Sequence, residues 1–296
     1  MTAVDTTWQP TYNDGHGITT KKSKYQAGGD TMKDWTDRAQ ALNRLIRPLT
    51  FPIAVKLVKN ANSFPEKTRR PLKDIGFQTN VCVGLTLTRK YGWTVGLTAE
   101  DNICPIAAYT YGWSESEPEA KNALIDFMKA MSYAANDEAA KTTIETVSQA
   151  KLNNGEYSGV VFSPLERTRI EPDLVMVFCN PAQAMRLVHG ATQETGTSIN
   201  SIFSGRGGTC TEGILQTFKT KQPRIVLPGN GDRVWAMVQD EELAFTIPAN
   251  LLDSVIRGLE ATHQRGIRYP IPVDIRHEPL FPEQLRQVAQ QKGHTA

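Results

Sequence analysis

The chain has few cysteines and no long apolar segment, and these absences exclude several classes of protein. Four cysteines among 296 residues are too sparse for a scaffold stapled by disulfide bonds. No apolar run approaches the roughly 18 residues that span a bilayer. Residues 1–17 are polar and lack the apolar core of a signal peptide. We therefore expect a cytoplasmic protein with reduced thiols and no membrane partner.

Several binding motifs are also missing. The formal net charge is only +2, and no run of Lys and Arg with interleaved aromatic residues indicates a nucleic-acid partner. There is no CxxC pair and no zinc-type spacing of histidines, so the local signatures of zinc and ferredoxin-type sites are absent. The segment "GRGG" matches neither a Walker loop nor a dinucleotide fingerprint. Any metal site must therefore be assembled from residues far apart in the sequence.

Patterns typical of strands and helices are present in both halves of the chain. Hydrophobic residues make up 40% of the sequence, which is enough to form a core. The pattern predicts an α/β (mixed α+β) protein with a mixed sheet flanked by helices. We predict a polar N-terminal extension over residues 1–29, a single α/β domain over 30–264 and a proline-rich C-terminal extension over 265–296. Asp30 or Thr31 is expected to cap the first helix.

Two cysteines lie next to residues that are typical of the beginning of a helix. Cys82 lies two residues after Asn80 in a segment whose alternating apolar residues also fit a strand, but the glycine stop at Gly92 favours a helix. Cys104 directly precedes Pro105, and proline is typical of the first position of a helix. The positive end of a helix dipole favours the thiolate form of a cysteine. Both residues are therefore candidate metal ligands.

Cys210 has the most informative local sequence, "SGRGGTC". Gly207 and Gly208 allow the backbone to approach a ligand closely, and Arg206 adds a positive charge. We predict that Arg206, Gly207 and Gly208 bind a small anionic substrate. Cys210 is the third candidate metal ligand.

Three other motifs bear on this site. Thr209 and Glu212 have the spacing of a capping box at the beginning of a helix. The segment from residue 229 to 231, Gly-Asn-Gly, favours a hairpin turn between two strands. The alternative is a ligand-facing loop in which Arg233 contacts the anion, and we include Arg233 among the candidate substrate-binding residues. Cys179 ends the apolar run "DLVMVFC" and is predicted to lie at the end of a buried strand.

The order of these motifs resembles the uncharacterised prokaryotic domain-of-unknown-function family 169. The resemblance covers roughly residues 47–262 and rests on "RPLTFPIAVKLV", "VCVGLTLTRKYGW", "NICPIAAYTYG", "VVFSPL", "PDLVMVFCNPAQAMRLV", "GGTCTEGI", "LPGNGDRVWAMVQDEELAFTIP" and "VIRGLEAT". It implies that cysteines recur at the places of Cys82, Cys104 and Cys210, but not of Cys179. It also implies a family common in anaerobes, which suits an oxygen-sensitive cofactor, and it carries no established activity.

Our first hypothesis is an iron–sulfur protein. Cys82, Cys104 and Cys210 would ligate one [4Fe–4S] cluster, and an oxidoreductase or lyase activity would act on a small anionic substrate. Helix N-termini would offset part of the negative charge of the cluster. The alternatives are a metal-free thiol enzyme with Cys210 as its nucleophile and a non-catalytic protein that binds an anion. Catalytic residues remain unassigned. The expected partners are a small-molecule substrate or a redox partner, and the sequence is compatible with a homo-oligomer.

Overall fold

A six-stranded sheet forms the centre of the chain in this computed structural model, which describes residues 34–271, 283, 287 and 288. The strand order is β2-β3-β1-β4-β6-β5, and each pairing between these strands is antiparallel. The predicted fold class, mixed α and β, is confirmed. The predicted mixed sheet is wrong, because every pairing between these strands is antiparallel. The strands are β1 (Ile53–Val58), β2 (Val95–Thr98), β3 (Gly159–Pro164), β4 (Leu174–Cys179), β5 (Arg224–Val226) and β6 (Leu243–Pro248).

Helices cover the sheet and connect its strands. Two further segments, Pro71–Ile75 and Thr209–Leu215, have π-helical hydrogen bonding. Within the described residues, no helix is both long and apolar enough to cross a membrane. The helices are α1 (Trp35–Leu45), α2 (Val81–Tyr91), α3 (Pro105–Thr110), α4 (Glu117–Ala130), α5 (Asp137–Ser148), α6 (Pro181–Thr192), α7 (Gln216–Thr220), α8 (Asn230–Val234) and α9 (Leu252–Gln264).

The first described helix, α1, begins later than predicted. The carboxylate of Asp34 accepts a hydrogen bond from the Asp37 N–H at 2.8 Å and caps the helix. The helix therefore starts after Asp34, and not at Asp30 or Thr31, which lie outside the described residues. The predicted extension over residues 1–29 also lies outside them, as do all residues after 271 except 283, 287 and 288.

Capping side chains fix where α2 and α6 begin. The Asn80 side chain accepts a hydrogen bond from the third residue of α2, and Gly92 ends the helix in the left-handed conformation with φ +73°. Asn180 and Gln183 form a reciprocal capping box around Pro181 at the beginning of α6. These polar groups satisfy N–H groups that a helix leaves without a partner in its first turn.

The core lies on both faces of the sheet. Every residue of β3 and of β4 is buried, so both faces of these strands are covered. Alternate residues of β4, including Met176 and Phe178, pack in one apolar cluster with Leu85 of α2 and Ile214. The alternation places the remaining residues of β4 on the opposite face. Cys179 is the last residue of β4 and is buried, as predicted.

The predicted hairpin at residues 229–231 is wrong. Gly229 is the N-cap of α8, and the Asp232 carboxylate accepts its N–H at 2.7 Å. This bond fixes the first turn of a helix where the Gly-Asn-Gly sequence also fits a turn between strands. The chain therefore passes from β5 through a helical turn to β6, with no strand between them among the described residues.

Candidate functional site

All three candidate cysteines line one cavity of about 460 Å³. Cys82 lies in the first turn of α2, Cys104 is the N-cap of α3, and Cys210 is the second residue of the π-helical segment Thr209–Leu215. The sequence prediction that these residues stand at the beginnings of helical segments is therefore confirmed. The structure also brings the three segments together. The sequence alone does not determine this, because the segments are far apart along the chain.

The beginnings of α2 and α3 are tied together by backbone hydrogen bonds. The Thr79 N–H donates to the Asp101 carbonyl at 2.7 Å, and the Ile103 N–H donates to the Thr79 carbonyl at 2.7 Å. Thr79 precedes the cap of α2, and Ile103 precedes Cys104. This short parallel contact holds the segments that carry Cys82 and Cys104 next to each other.

The backbone of Cys104 is held by one neighbouring side chain. The Asn102 Nδ2 donates to the Cys104 carbonyl at 2.9 Å, and the Cys104 N–H donates to Asn102 Oδ1 at 3.3 Å. Pro105 then supplies the first position of α3. The main-chain position of this thiol is therefore set by two hydrogen bonds and by a proline.

Cys210 is anchored from α3 and from its own loop. The Tyr111 hydroxyl donates to the Cys210 carbonyl at 3.1 Å, and the hydroxyls of Thr110 and Thr211 are 3.1 Å apart. The Cys210 thiol donates to the Gly207 carbonyl at 3.4 Å. Tyr111 is buried, so its hydroxyl bond links α3 to the Cys210 segment away from water.

Asp232 is the acidic residue that the sequence interpretation missed. Asp232 is 3% exposed, and its carboxylate accepts hydrogen bonds from the Thr209 N–H at 3.1 Å and from the Thr209 hydroxyl. It also accepts the Gly229 N–H described above. Asp232 therefore attaches the beginning of α8 to the residue that precedes Cys210 and forms part of the cavity wall.

The predicted capping box between Thr209 and Glu212 is wrong. The Thr209 hydroxyl is used by Asp232, and Glu212 accepts hydrogen bonds from the Ser204 N–H at 2.9 Å, the Ser204 hydroxyl and the Gly207 N–H at 3.3 Å. Burial raises the pKa of Glu212 against these hydrogen bonds. Glu212 therefore shapes the glycine loop rather than the end of a helix.

Gly208 is required by close packing as well as by its backbone angle. Its φ is +46°, and a Cβ at this position would overlap Oδ2 of Asp232. The two glycines of this loop, Gly207 and Gly208, line the cavity. Their contact with a substrate stays a prediction.

The two arginines predicted to bind a substrate have different locations. Arg206 lines the cavity, stacks on the Tyr133 ring with 3.7 Å between its guanidinium carbon and the ring centre, and pairs with no carboxylate among the described residues. Arg233 is not among the cavity-lining residues, because its guanidinium donates to the carbonyl oxygens of Gln239 and Glu242. The predicted contact between Arg233 and a substrate therefore stays a prediction.

Burial and neighbouring groups raise the pKa of the Cys82 and Cys104 thiols. The pKa of Cys82 is well above its usual range because of its interaction with the Cys210 side chain, its burial and the charge of Asp232. Burial raises the pKa of Cys104 to about 11, although the backbone N–H of Ala107 acts in the opposite direction. The expected effect of the helix end is present at Cys104, but burial outweighs it.

The arrangement of side chains also bears on whether the cavity binds a metal ion. No group of three or more His, Cys, Asp or Glu side chains in the described part of the chain is arranged to hold a metal ion. Both oxygens of Asp232 already accept hydrogen bonds, so this carboxylate supports the cavity wall rather than supplying a free ligand atom.

The family profile of domain-of-unknown-function family 169 (DUF169), described as uncharacterised ArCR, matches residues 41–258. The chain belongs to this family. The DUF169 match includes all three cavity cysteines and Asp232. The chain is similar to the uncharacterized protein MJ0308 of Methanocaldococcus jannaschii, with 24% identity over 212 residues that cover 72% of this chain and 88% of the relative. No solved structure matches the chain.

Proposed function

We propose that this DUF169 protein binds an iron–sulfur cluster through Cys82, Cys104 and Cys210. The observation that supports the proposal is the convergence of these cysteines, from three separate segments, on one cavity of about 460 Å³. Thiolate sulfur is the usual protein ligand of iron in such clusters. A reducing cytoplasmic location, which we also propose, would keep these thiols available.

The group that we propose is a polynuclear cluster and not a single ion. A tetrahedral Zn²⁺ site brings every sulfur within about 2.3 Å of one metal atom, and the described thiols are not arranged in that way. In a [4Fe–4S] cluster each cysteine binds a different iron atom, so the sulfur atoms stand around a larger core. A cavity lined by three thiols is compatible with sulfur atoms that stand around such a core.

Three cysteine ligands would leave one iron atom of a [4Fe–4S] cluster open to a non-protein ligand. When bound, such a cluster supplies either electron transfer or a Lewis-acid position. Arg206 lies in the wall of the same cavity without a carboxylate partner among the described residues, and its guanidinium can pair with a carboxylate or phosphate. We therefore propose redox or Lewis-acid chemistry on a small anionic substrate.

The proposal is tested by purifying the full chain without oxygen and reconstituting it with iron and sulfide. The expected result is about four iron and four sulfide atoms per chain with broad visible absorption. Cys82→Ser, Cys104→Ser and Cys210→Ser should each lose most of the absorption. Cys179→Ser is the matched control, because this thiol lies at the buried end of β4 and should retain the cluster.

A colourless, iron-free wild-type protein after reconstitution would overturn the cluster proposal. Equal loss of iron in Cys179→Ser and in the three cavity variants would also contradict it, because the cavity thiols would then have no special role. Fast and selective alkylation of Cys210 in an iron-free protein would instead support the thiol-enzyme alternative.

A further inference from the structure

A second cavity, of about 280 Å³, lies between the C-terminal end of α6, β5 and the beginning of α9. None of the residues that line it also lines the cysteine cavity. Most of its polar lining consists of hydroxyl and amide side chains. These belong to Thr195, Thr197, Ser198, Asn200, Gln222 and Ser254.

Arg224 of β5 lines this cavity and is buried without an ion-pair partner. It is 5% exposed, its Nη2 donates to the Thr220 hydroxyl at 3.0 Å, and its Nε has no hydrogen-bond partner. Among the described residues, no carboxylate lies within ion-pair distance of this guanidinium. A buried charge is costly unless it is paired, so an anion in the cavity would supply the missing partner.

Arg89 and Arg186 also leave Nε without a partner, so Arg224 differs from these buried arginines in its Nη atoms and in the adjacent cavity. Arg89 is fully buried and forms two hydrogen bonds with the Glu242 carboxylate. The two Nη atoms of Arg186 donate to the Thr262 hydroxyl and the Leu259 carbonyl. Arg186 does not line the second cavity, whereas Arg224 combines burial, unused donors and adjacent open space.

The nearby carboxylate of Glu194 does not fill this role. It accepts hydrogen bonds from the Arg257 guanidinium at 2.9 Å and 3.2 Å and from the Ser254 hydroxyl at 2.7 Å. Its charge is therefore already balanced by Arg257 at the surface. The charge of Glu212 acts on Arg224 from a longer distance, but its carboxylate accepts hydrogen bonds from Ser204 and Gly207 and forms no ion pair with this guanidinium.

We propose that the second cavity binds a small anion, with its carboxylate or phosphate group on the guanidinium of Arg224. The planar guanidinium presents donors that match either group, and the hydroxyl-rich wall can supply further hydrogen bonds. The volume suits a small ligand rather than a nucleotide or a drug-sized molecule. This site is independent of the proposed cluster, because it uses neither the cysteines nor Arg206.

The test measures the thermal unfolding midpoint, Tm, of the full chain in sodium phosphate, sodium succinate and sodium chloride at matched ionic strength. A ligand that binds only the folded state, at about five times its Kd, should raise Tm by about 2–4 °C over chloride. A rise in phosphate alone or in succinate alone would identify which group the site accepts.

Two variants connect the rise in Tm to this cavity. Arg224→Met should abolish the rise. Gln222→Glu should reduce it strongly, because this exposed rim substitution adds a repulsive charge while leaving the buried guanidinium in place. Gln149→Glu makes the same charge change at an exposed position that does not line the cavity, and it should retain the rise.

Three results would overturn the proposal. The first is an equal Tm in all three salts. The second is a rise in Tm that is unchanged in the folded Gln222→Glu protein. The same result in Arg224→Met, provided that Arg224→Met folds, would also count against the proposal. The third is loss of the rise in Arg206→Gln, which would place the anion in the cysteine cavity instead.

Discussion

Thr209 donates two hydrogen bonds to Asp232, one from its backbone N–H at 3.1 Å and one from its hydroxyl. The pair joins the residue before Cys210 to the first turn of α8 and is buried. Asp232 also accepts the Gly229 N–H, so a single carboxylate organises two walls of the cysteine cavity.

Asp232→Asn should destabilise the protein and loosen this wall. The amide replaces one acceptor oxygen with a donor that faces the N–H and hydroxyl groups of neighbouring residues. A hydrogen bond to a charged group contributes roughly 1.5–3 kcal/mol, and we expect a loss of about that size in urea unfolding. Asp240→Asn, at an exposed position, should change the free energy of unfolding by less than about 0.5 kcal/mol. Equal effects of the two variants would contradict the role of Asp232.

Gly208→Ala should cost more stability than Gly205→Ala. Both glycines have positive φ, so the backbone conformation of alanine should lower the free energy of unfolding by about 1–2 kcal/mol at either position. Only at Gly208 would the new Cβ also overlap the Asp232 carboxylate, whereas Gly205 has open space around it. Urea unfolding of the two variants measures the difference, and an equal loss would show that the overlap is relieved at little cost.

Arg89→Met should be strongly destabilising. Arg89 is buried and donates to both carboxylate oxygens of Glu242, at 2.6 Å and 2.9 Å, and its loss leaves that carboxylate without its cation. Breaking a buried pair typically costs 3–5 kcal/mol. The control is Arg257→Met, whose exposed pair with Glu194 should contribute at most about 1 kcal/mol.

The same buried pair can be tested by a double-mutant cycle. Glu242→Gln in the Arg89→Met background should cost much less than in the wild-type protein, because the carboxylate has already lost its partner. Additive costs would show that the two side chains act independently.

The Cys179 thiol should resist alkylation at neutral pH. Burial, followed by the charge of Glu242, raises its pKa to about 12. At pH 8 the thiolate fraction would then be about 10⁻⁴, against roughly a quarter for a free cysteine with a pKa near 8.5. Mass spectrometry after iodoacetamide treatment should show labelling at least about 10³-fold slower in the folded protein than in urea.

The sign of the pH effect follows from the raised pKa. The stabilisation from keeping Cys179 neutral is fully present below its unfolded pKa, near 8.5, and is lost as the pH rises toward 12. The Cys179→Ala variant should therefore lose less stability than the wild-type protein between pH 8.5 and 10.5. An identical pH dependence in the two proteins would contradict this assignment.

The positions of Cys82 and Cys104 could be predicted because their signals are local. Asn80 caps α2 from two residues before Cys82, and Pro105 directly follows Cys104. A capping side chain and a proline act on the backbone next to them, so their effect does not depend on the rest of the fold. The helical beginnings at these cysteines follow from the sequence alone.

The role of Asp232 could not be predicted because its decisive partner is distant. The Gly-Asn-Gly sequence before it fits either a hairpin turn or a helix start, and the choice depends on bonds to Gly229 and Thr209. The same uncertainty affected its neighbour Arg233, since only the orientation of α8 determines which of the two side chains lines the cavity. Thr209 and Glu212 have the spacing of a capping box, but the Thr209 hydroxyl donates to Asp232 and Glu212 accepts from the Ser204 N–H.

The three cysteine segments are held together by bonds among protein groups alone: Thr79 with Asp101, Tyr111 with Cys210, and Thr209 with Asp232. In a zinc finger the metal folds the chain around itself. Here each of these hydrogen bonds joins two protein groups, so we expect the chain to fold before it binds the proposed cluster.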